Sequence, residues 1–331
     1  LIREHLIPRG LVLEYEELSD EGGIVVIATP SSLQMAATHG KELGATDCKH
    51  DTTLDCRSMW STYRVPVRWN TFGGVTWYGT VAWVAPNESQ LTIGCALTAQ
   101  RANLPCDDPT CSHPFEVSWE GGRFRRHCPC SPAFSPLVTI DKHMPSFLAV
   151  IEAGYRGGLL DGWHGYHAFN QFLSSTVLIR DAAATAAMWA FRLWTRSQSD
   201  QQAEEMRNDL VAFVIDQASA PAPLWTLEQA ADLGHYFLKC WHQPAAIRQG
   251  WIDGGLKRLV DRETGVASTG SNEGSHKHLD DHMFKLQRNR DVCTVVTKTG
   301  GIDASGAFTA SFFDGEEKRY AEDEYITVRR V

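Results

Sequence analysis

Two aspartates stand at the ends of short apolar segments whose composition is typical of β-strands. Asp47 follows residues 43–46, and Asp141 follows residues 137–140. If the two strands are neighbours in one sheet, the carboxylates converge, and carboxylate oxygens are the ligands that Mg2+ prefers. With a third acid from a helix, they could hold two metal ions about 4 Å apart that activate a nucleophile and stabilise a leaving oxygen. The pattern is therefore compatible with a two-metal centre, although turn formation is the more common role of a strand-end aspartate.

Four cysteines cluster in an irregular stretch, residues 104–136, that is also rich in Pro, Gly and Arg. The cluster consists of Cys106, Cys111, Cys128 and Cys130, with His113 and His127 close by. Four thiolates could bind one Zn2+ that replaces a missing core, although the spacing is not a standard Cys-x2-Cys pair. The chain has nine cysteines and no visible secretion signal, which is typical of a reducing compartment and favours metal over disulfide. A zinc site and four free thiols in a loop both remain open at this point.

Three histidines, His276, His278 and His282, form a further group of candidate ligands. His278 and His282 are four residues apart and would share one face of a helix. An unrelated zinc-dependent hydrolase could use such a face, but Leu279 follows His278 where the zinc-protease pattern needs Glu. A solvated polar face is therefore the favoured interpretation.

The composition limits the kinds of protein that the chain could be. Its net charge of -9 over 331 residues is unusual for a DNA-holding protein, because phosphate neutralisation needs basic faces. Basic residues nonetheless cluster at 123–127 and 285–290, and an acidic metal centre makes the net charge more negative. No run of about 18 apolar residues predicts a membrane-spanning helix. The first residue is Leu1 and no signal-peptide pattern follows it, so we expect a piece of a longer protein without membrane contact.

Hydrophobic periodicity predicts an α/β or α+β core followed by a block of helices. Predicted strands cover residues 23–28, 43–49, 63–69, 75–85, 137–140 and 158–160. Predicted helices cover residues 33–39, 88–102, 144–155 and 165–174, a helical region from 180 to about 260, and a final helix from 272 towards 285. Most of the tryptophans are expected in the core, at positions 163, 189, 194, 225, 241 and 251.

Four short motifs, in this order, resemble those of Mutator-like element (MULE) transposases. Residues 46–51 (Thr-Asp-Cys-Lys-His-Asp) resemble the first-acid motif, which in one branch of that family reads Asp-x-Lys. Residues 138–143 resemble the second-acid strand, and residues 159–164 resemble a [Cys/Asp]-x-x-His motif that a helix follows. Residues 269–279 resemble the segment in which the third acid opens a helix. The likeness covers about residues 24–297.

The third-acid segment keeps only part of the family pattern. Of the usual Thr-Asn-Asn element before the glutamate, Thr269 and Asn272 remain. The long helical stretch before Glu273 nevertheless agrees with the family's arrangement. Glu273 is therefore the third acid that the resemblance implies.

The resemblance implies an RNase H-like mixed sheet flanked by helices, with an all-helical insertion and a small Cys-rich insertion. It assigns the catalytic triad, which would bind Mg2+ or Mn2+, to Asp47, Asp141 and Glu273. Asp51 is an alternative first acid. Asp161 and His164 would be the motif pair that shapes the site or touches nucleic acid.

The implied organisation has five parts. They are a lead-in strand and helix (1–42), the first part of the core (43–179) with its Cys-rich insertion (104–136), a helical insertion (180–262), the core helix with the third acid (263–299), and a C-terminal tail (300–331). The expected protein is a nuclear transposase core that cleaves DNA at transposon ends and transfers the strands to target DNA, either alone or as a homo-oligomer. The alternatives are a domesticated, inactive relative that binds DNA or chromatin as a regulator, and the unrelated zinc-dependent hydrolase.

Overall fold

The computed structural model describes most of the chain. The described residues are 2–6, 11–19, 22–50, 58–69, 75–105, 117–120, 123–126, 134–260, 292–301, 307 and 309–318. Several predicted site residues lie outside this part, namely Asp51, Glu273, the four clustered cysteines (Cys106, Cys111, Cys128, Cys130) and the three clustered histidines (His276, His278, His282). The predicted helix from 272 to 285 lies outside it as well.

The chain divides into two compact units. The first unit comprises Leu1–Val138, Leu148–Arg156 and Thr269–Val331, and the second comprises Thr139–Phe147 and Gly157–Ser268. The domain boundaries expected at residues 42, 179, 262 and 299 remain a prediction.

The fold is α/β, with strands and helices mixed along the chain. The strands are β1 (Val12–Ser19), β2 (Gly22–Ile27), β3 (Leu43–Lys49), β4 (Met59–Trp69), β5 (Val75–Ala85), β6 (Val117–Glu120), β7 (Arg123–Arg126), β8 (Leu137–Ile140) and β9 (Gly157–Leu160). The helices are α1 (Pro30–His39), α2 (Gln90–Ala102), α3 (Met144–Glu152), α4 (Gly162–Gln171), α5 (Asp181–Thr195), α6 (Asp200–Ser219), α7 (Leu227–Phe237), α8 (Ala245–Trp251) and α9 (Val292–Gly300). Among the described residues, none of the helices is both long and apolar enough to cross a membrane.

The sheet of the first unit has the strand order β6-β7-β1-β2-β5-β4-β3, and β8 follows β3. Antiparallel pairing joins β1 to β2, β2 to β5, β5 to β4 and β4 to β3. Gly44 of β3 is required locally, because a Cβ atom there would lie 1.9 Å from the hydroxyl oxygen of Tyr63 on β4. Within this unit, the Leu137 N–H at the start of β8 donates to the carbonyl of Glu42, just before β3, at 2.8 Å.

The core of the first unit combines the sheet with the C-terminal part of the chain. Its buried members are Leu6, Val12, Val25, Ile27, Trp60, Ala82, Val84, Val295, Val296, Phe312 and Phe313. Helix α9 supplies the two valines, and the helical segment 312–318 supplies the two phenylalanines. Part of the C-terminal tail, for which the sequence predicted no helix or strand, thus belongs to the core.

A buried ion pair fixes the segment 312–318 on the sheet. The Arg64 guanidinium on β4 donates to Glu316 through Nη2, at 2.8 Å from Oε2, and both side chains are 1% exposed. The backbone N–H of Gly79 on β5 donates to the same carboxylate oxygen at 2.7 Å. A Cβ atom at Gly79 would lie 2.8 Å from the ring of Phe312, so glycine is needed where this segment meets the strand.

In the second unit, the end of β8 lies beside β9. The Asp161 N–H, directly after β9, donates to the Ile140 carbonyl at 2.9 Å. Within the first unit, the Arg156 N–H donates to the Pro136 carbonyl at 3.0 Å. From one bond to the other, the residue numbers increase along both strands, from 136 to 140 and from 156 to 161. The two strands β8 and β9 are therefore parallel, and the sheet is mixed.

The rest of the second unit is helical from α4 to α8, with an aromatic core. The rings of Phe169 and Phe191 stack with their centroids 4.0 Å apart, and Trp194, Trp241 and Trp251 are fully buried around them. The prediction of a tryptophan core is confirmed at Trp194, Trp225, Trp241 and Trp251. It is wrong at Trp163 and Trp189, which are 61% and 62% exposed because their helix positions do not face that core.

Candidate functional site

The second predicted acid and the predicted histidine contact each other in the second unit. Asp141 is the first residue after β8, and His164 lies in the first turn of α4, which begins just after β9. The Nδ1 atom of His164 contacts the Oδ1 atom of Asp141. Both side chains remain partly exposed, 35% for Asp141 and 20% for His164, so solutes can reach the pair. Two motifs that are distant in sequence thus meet at the ends of neighbouring strands.

Asp161 holds His164 in this place by capping α4. It is the N-cap residue of the helix, and its Oδ1 accepts the backbone N–H of His164 at 2.8 Å. An N-cap side chain satisfies the N–H three residues ahead, which is the spacing of the Asp-x-x-His motif. The Asp161 side chain is buried at 1% exposure, so it acts on His164 from inside the fold. The spacing of the motif therefore has a geometric reason, because the cap fixes the residue that contacts Asp141.

The residues that follow Asp141 turn the chain sharply into α3. The His143 N–H donates to the Asp141 carbonyl at 2.7 Å, and the Ser146 N–H donates to the His143 carbonyl at 3.0 Å. The His143 side chain makes a 2.9 Å hydrogen bond between Nδ1 and Ser146 Oγ. Backbone and side-chain bonds thus fix the loop that carries the Asp141 carboxylate.

Lys142, next to Asp141, lies against the aromatic core. Its ammonium nitrogen is 3.9 Å from the ring centroid of Trp241 and 4.8 Å from that of Tyr236, and it donates to the Tyr236 hydroxyl at 3.2 Å. Burial lowers the pKa of Lys142 to about 8, and the charge of the nearby Cys240 acts in the opposite direction. Burial therefore disfavours the charged form of the lysine next to Asp141.

An exposed aromatic surface lies beside His164. Trp163 stacks on His167 with ring centroids 4.7 Å apart and an angle of 8° between the planes. The Trp163 ring also meets the edge of His164 at 4.9 Å. Trp163 was predicted in the core, although its position inside the Asp-x-x-His motif is a signal that it lies close to His164.

Asp47, the predicted first acid, lies on β3 in the first unit. It pairs with Thr62 of β4, and its Oδ1 accepts the N–H of Cys48 at 2.8 Å. The first four residues of β3 are buried and the last three, beginning with Asp47, are partly exposed. Asp47 therefore stands where the strand leaves the buried part of the sheet, as the apolar run before it predicts.

The chemistry available at Asp141 suits a hard metal ion. A carboxylate has about four lone pairs, so it can in general bind a metal ion and accept a hydrogen bond at the same time. A histidine that binds a metal-ligating carboxylate fixes its orientation. One carboxylate alone would hold Mg2+ weakly, and the other two predicted ligands are Asp47, in the first unit, and Glu273, outside the described residues. The comparisons with known proteins add nothing to this assignment, because no protein-family model, no curated protein and no solved structure matches the chain.

Proposed function

We propose that this chain is the catalytic core of a Mutator-like transposase with an RNase H-like fold. The observation that carries the proposal is the contact between Asp141 and His164, with Asp161 capping the helix of His164. The resemblance requires the second acid and the Asp-x-x-His pair to serve one site, and they lie together at the ends of β8 and β9. The mainly helical stretch from Asp181 to Trp251 also supports it.

In this proposal, Asp47, Asp141 and Glu273 hold Mg2+ or Mn2+. The two residues of the motif pair, Asp161 and His164, each have a distinct task. Asp141 would bind metal through its carboxylate, His164 would orient that carboxylate, and Asp161 would position His164. When bound, the two ions supply an activated nucleophile and stabilise the charge that develops on the leaving oxygen. These roles make Asp161 and His164 positioning residues.

The reaction consists of two displacements at phosphorus. In the first, water attacks a phosphodiester at the transposon end, the P–O3′ bond breaks, and a 3′-hydroxyl and a 5′-phosphate remain. In the second, that 3′-hydroxyl attacks a target phosphodiester, which forms a new P–O bond and releases a target 3′-hydroxyl. The protons pass from the attacking to the leaving oxygens through solvent, so no other reactant is needed.

The exposed ring of Trp163 supports the proposal that the substrate is a nucleic acid. An exposed aromatic face that is stacked on its inner side can bind an unpaired base, and such stacking contributes about 1–3 kcal/mol per base. Trp163 has this arrangement, with His167 on one face and 61% of its surface exposed. We propose that a base near the cleaved bond stacks there. A nuclear location and an oligomeric complex with DNA ends follow from the proposal as predictions.

A domesticated, inactive relative is the second candidate. The net charge of -9 and the partial Thr-Asn-Asn element before Glu273 favour it. It would bind DNA or chromatin without cleaving it. The zinc of the Cys-rich insertion stays a prediction under either candidate.

The test is cleavage of labelled, supercoiled DNA that carries the chain's own transposon ends, in Mn2+. We expect cleavage by wild type and no cleavage by Asp141→Asn. The control Asp209→Asn should cleave as wild type does, because Asp209 lies exposed on α6. His164→Ala should lower kcat, and Trp163→Ala should mainly raise KM. Inactive wild type that still binds the DNA would favour the regulator, and an active Asp141→Asn would refute the proposed site.

A further inference from the structure

A second cluster of metal-ligating side chains lies in the first unit, at the end of β3. It consists of Cys48 within β3, His50 just after it, and Glu88 just before α2. One ligand atom from each residue lies within 4.8 Å of the others. The cluster is partly open to solvent, since His50 is 61% exposed and Glu88 is 22% exposed. A solute ion can therefore reach all three side chains.

The distance between His50 and Glu88 fits two ligands of one tetrahedral ion. The Nε2 atom of His50 is 3.6 Å from Oε2 of Glu88, which is beyond the usual hydrogen-bond distance. Ligands that bind Zn2+ at about 2.0–2.3 Å in a tetrahedron are separated from each other by about 3.3–3.7 Å. The His50–Glu88 separation already equals such an edge. The Cys48 sulphur lies within 4.8 Å of both other ligand atoms.

The cluster is separate from the acid on the same strand. Side chains alternate between the two faces of a strand, so Cys48 lies on the opposite face from Asp47. His50 lies just beyond the end of β3, and its place beside Cys48 follows from the distances within the cluster. The antiparallel register is regular here, because Asp47 pairs with Thr62 and Cys48 with the preceding residue, Ser61, so the alternation of faces is not interrupted. A metal bound by Cys48 and His50 would therefore not be the metal of Asp47.

We propose that Cys48, His50 and Glu88 form a Zn2+ site. Sulphur, imidazole nitrogen and carboxylate oxygen are the three ligand types of protein-bound zinc, whereas Mg2+ takes oxygen ligands. Three protein ligands leave the fourth tetrahedral position to water. The bound ion would link the end of β3 to the start of α2, where Ser89 caps the helix. This site does not depend on the proposed function or on the four-cysteine site predicted at residues 106–130.

Cobalt titration of the full chain tests the site, because Co2+ replaces Zn2+ and its bond to thiolate absorbs in the near ultraviolet. Wild type should bind Co2+ with this absorption, and excess Zn2+ should remove it. Cys48→Ser, His50→Gln and Glu88→Gln should each lose one equivalent of tightly bound metal. Each variant should also lose the part of the thiolate absorption that the bond between Cys48 and Co2+ contributes.

The matched control is Cys240→Ser, which removes another partly buried free thiol and should keep the wild-type stoichiometry. A second metal at the Cys-rich insertion would raise the metal stoichiometry of the wild type and of all variants equally. The loss of one equivalent therefore remains measurable. His50 is mostly exposed, so His50→Gln keeps the test valid if Cys48→Ser fails to fold. Unchanged stoichiometry in the three variants, or no tight binding by wild type, would overturn the proposal.

Discussion

The two compact units stabilise their interiors with different chemistry. The first unit is built on an antiparallel sheet and includes the buried Arg64–Glu316 ion pair. The second unit is built on helices around the stacked rings of Phe169 and Phe191. Removing one member of a buried ion pair leaves an uncompensated charge, whereas removing part of an aromatic side chain leaves a cavity that its neighbours can partly fill. The first unit should therefore be more sensitive to single polar substitutions, and the second should tolerate apolar changes.

The largest expected effect is that of Glu316→Ala in the first unit. The variant leaves the Arg64 guanidinium buried without its carboxylate, which should lower the free energy of unfolding by about 3–5 kcal/mol. Urea denaturation followed by tryptophan fluorescence measures this change. The neighbouring Glu317→Ala, at an exposed position, should cost less than about 1 kcal/mol. A similar, small loss in both variants would mean that the ion pair does not distinguish the first unit.

The corresponding change in the second unit is Phe191→Leu. Leucine keeps an apolar side chain at the centre of the aromatic core but loses the ring stacking with Phe169, so we expect a loss of about 1–2 kcal/mol. The same denaturation experiment gives the value. A loss as large as that of Glu316→Ala would remove the contrast between the two units.

Asp161→Ala should separate helix capping from site geometry. Loss of the cap should cost about 1 kcal/mol of stability, and Mn2+ affinity should fall about tenfold, because His164 would lose its position beside Asp141. Ser199→Ala removes the equivalent cap of α6 and should cost similar stability with unchanged Mn2+ affinity. Asp161→Asn, which can still cap the helix, should restore most of the affinity. Equal Mn2+ affinities in Asp161→Ala and Ser199→Ala would show that the cap has no part in the site.

The smallest expected effect is the pH dependence that Lys142 contributes. Burial lowers its pKa from 10.5 to about 8. Between these values the unfolded chain binds more protons than the folded chain, so this residue makes stability rise with pH. Below about pH 8 both states are protonated and the cost of burying the charge is fully present. Lys142→Met should therefore show a flatter stability profile than wild type from pH 8 to 10, and identical slopes would contradict the lowered pKa.

Local patterns in the sequence predicted the elements that carry the site. The apolar runs before Asp47 and Asp141 predicted strands β3 and β8, whereas the helix predicted from residue 165 begins at Gly162, where Asp161 caps it. These features depend on residues only a few positions apart. The contact between His164 and Asp141 needed a resemblance to bring the two motifs to one place, because no local pattern relates them.

Features that depend on distant partners were not predicted. Strand β1 contains Glu14, Glu16 and Glu17, which disfavour strands locally, yet it pairs along its length with β2. The segment 312–318 joins the core through Glu316, whose partner Arg64 is 252 positions away. The exposure of Trp163 likewise depends on which face of α4 meets the aromatic core.

The most direct test of the proposed site is calorimetric titration of Mn2+ into the full chain with duplex DNA present, for wild type, Asp141→Asn and the control Asp209→Asn. The proposal predicts binding by wild type and by Asp209→Asn, and binding that is lost or weakened by at least about tenfold in Asp141→Asn. Equal affinity of Asp141→Asn and wild type, or no binding by wild type in the presence of DNA, would contradict a metal centre at Asp141.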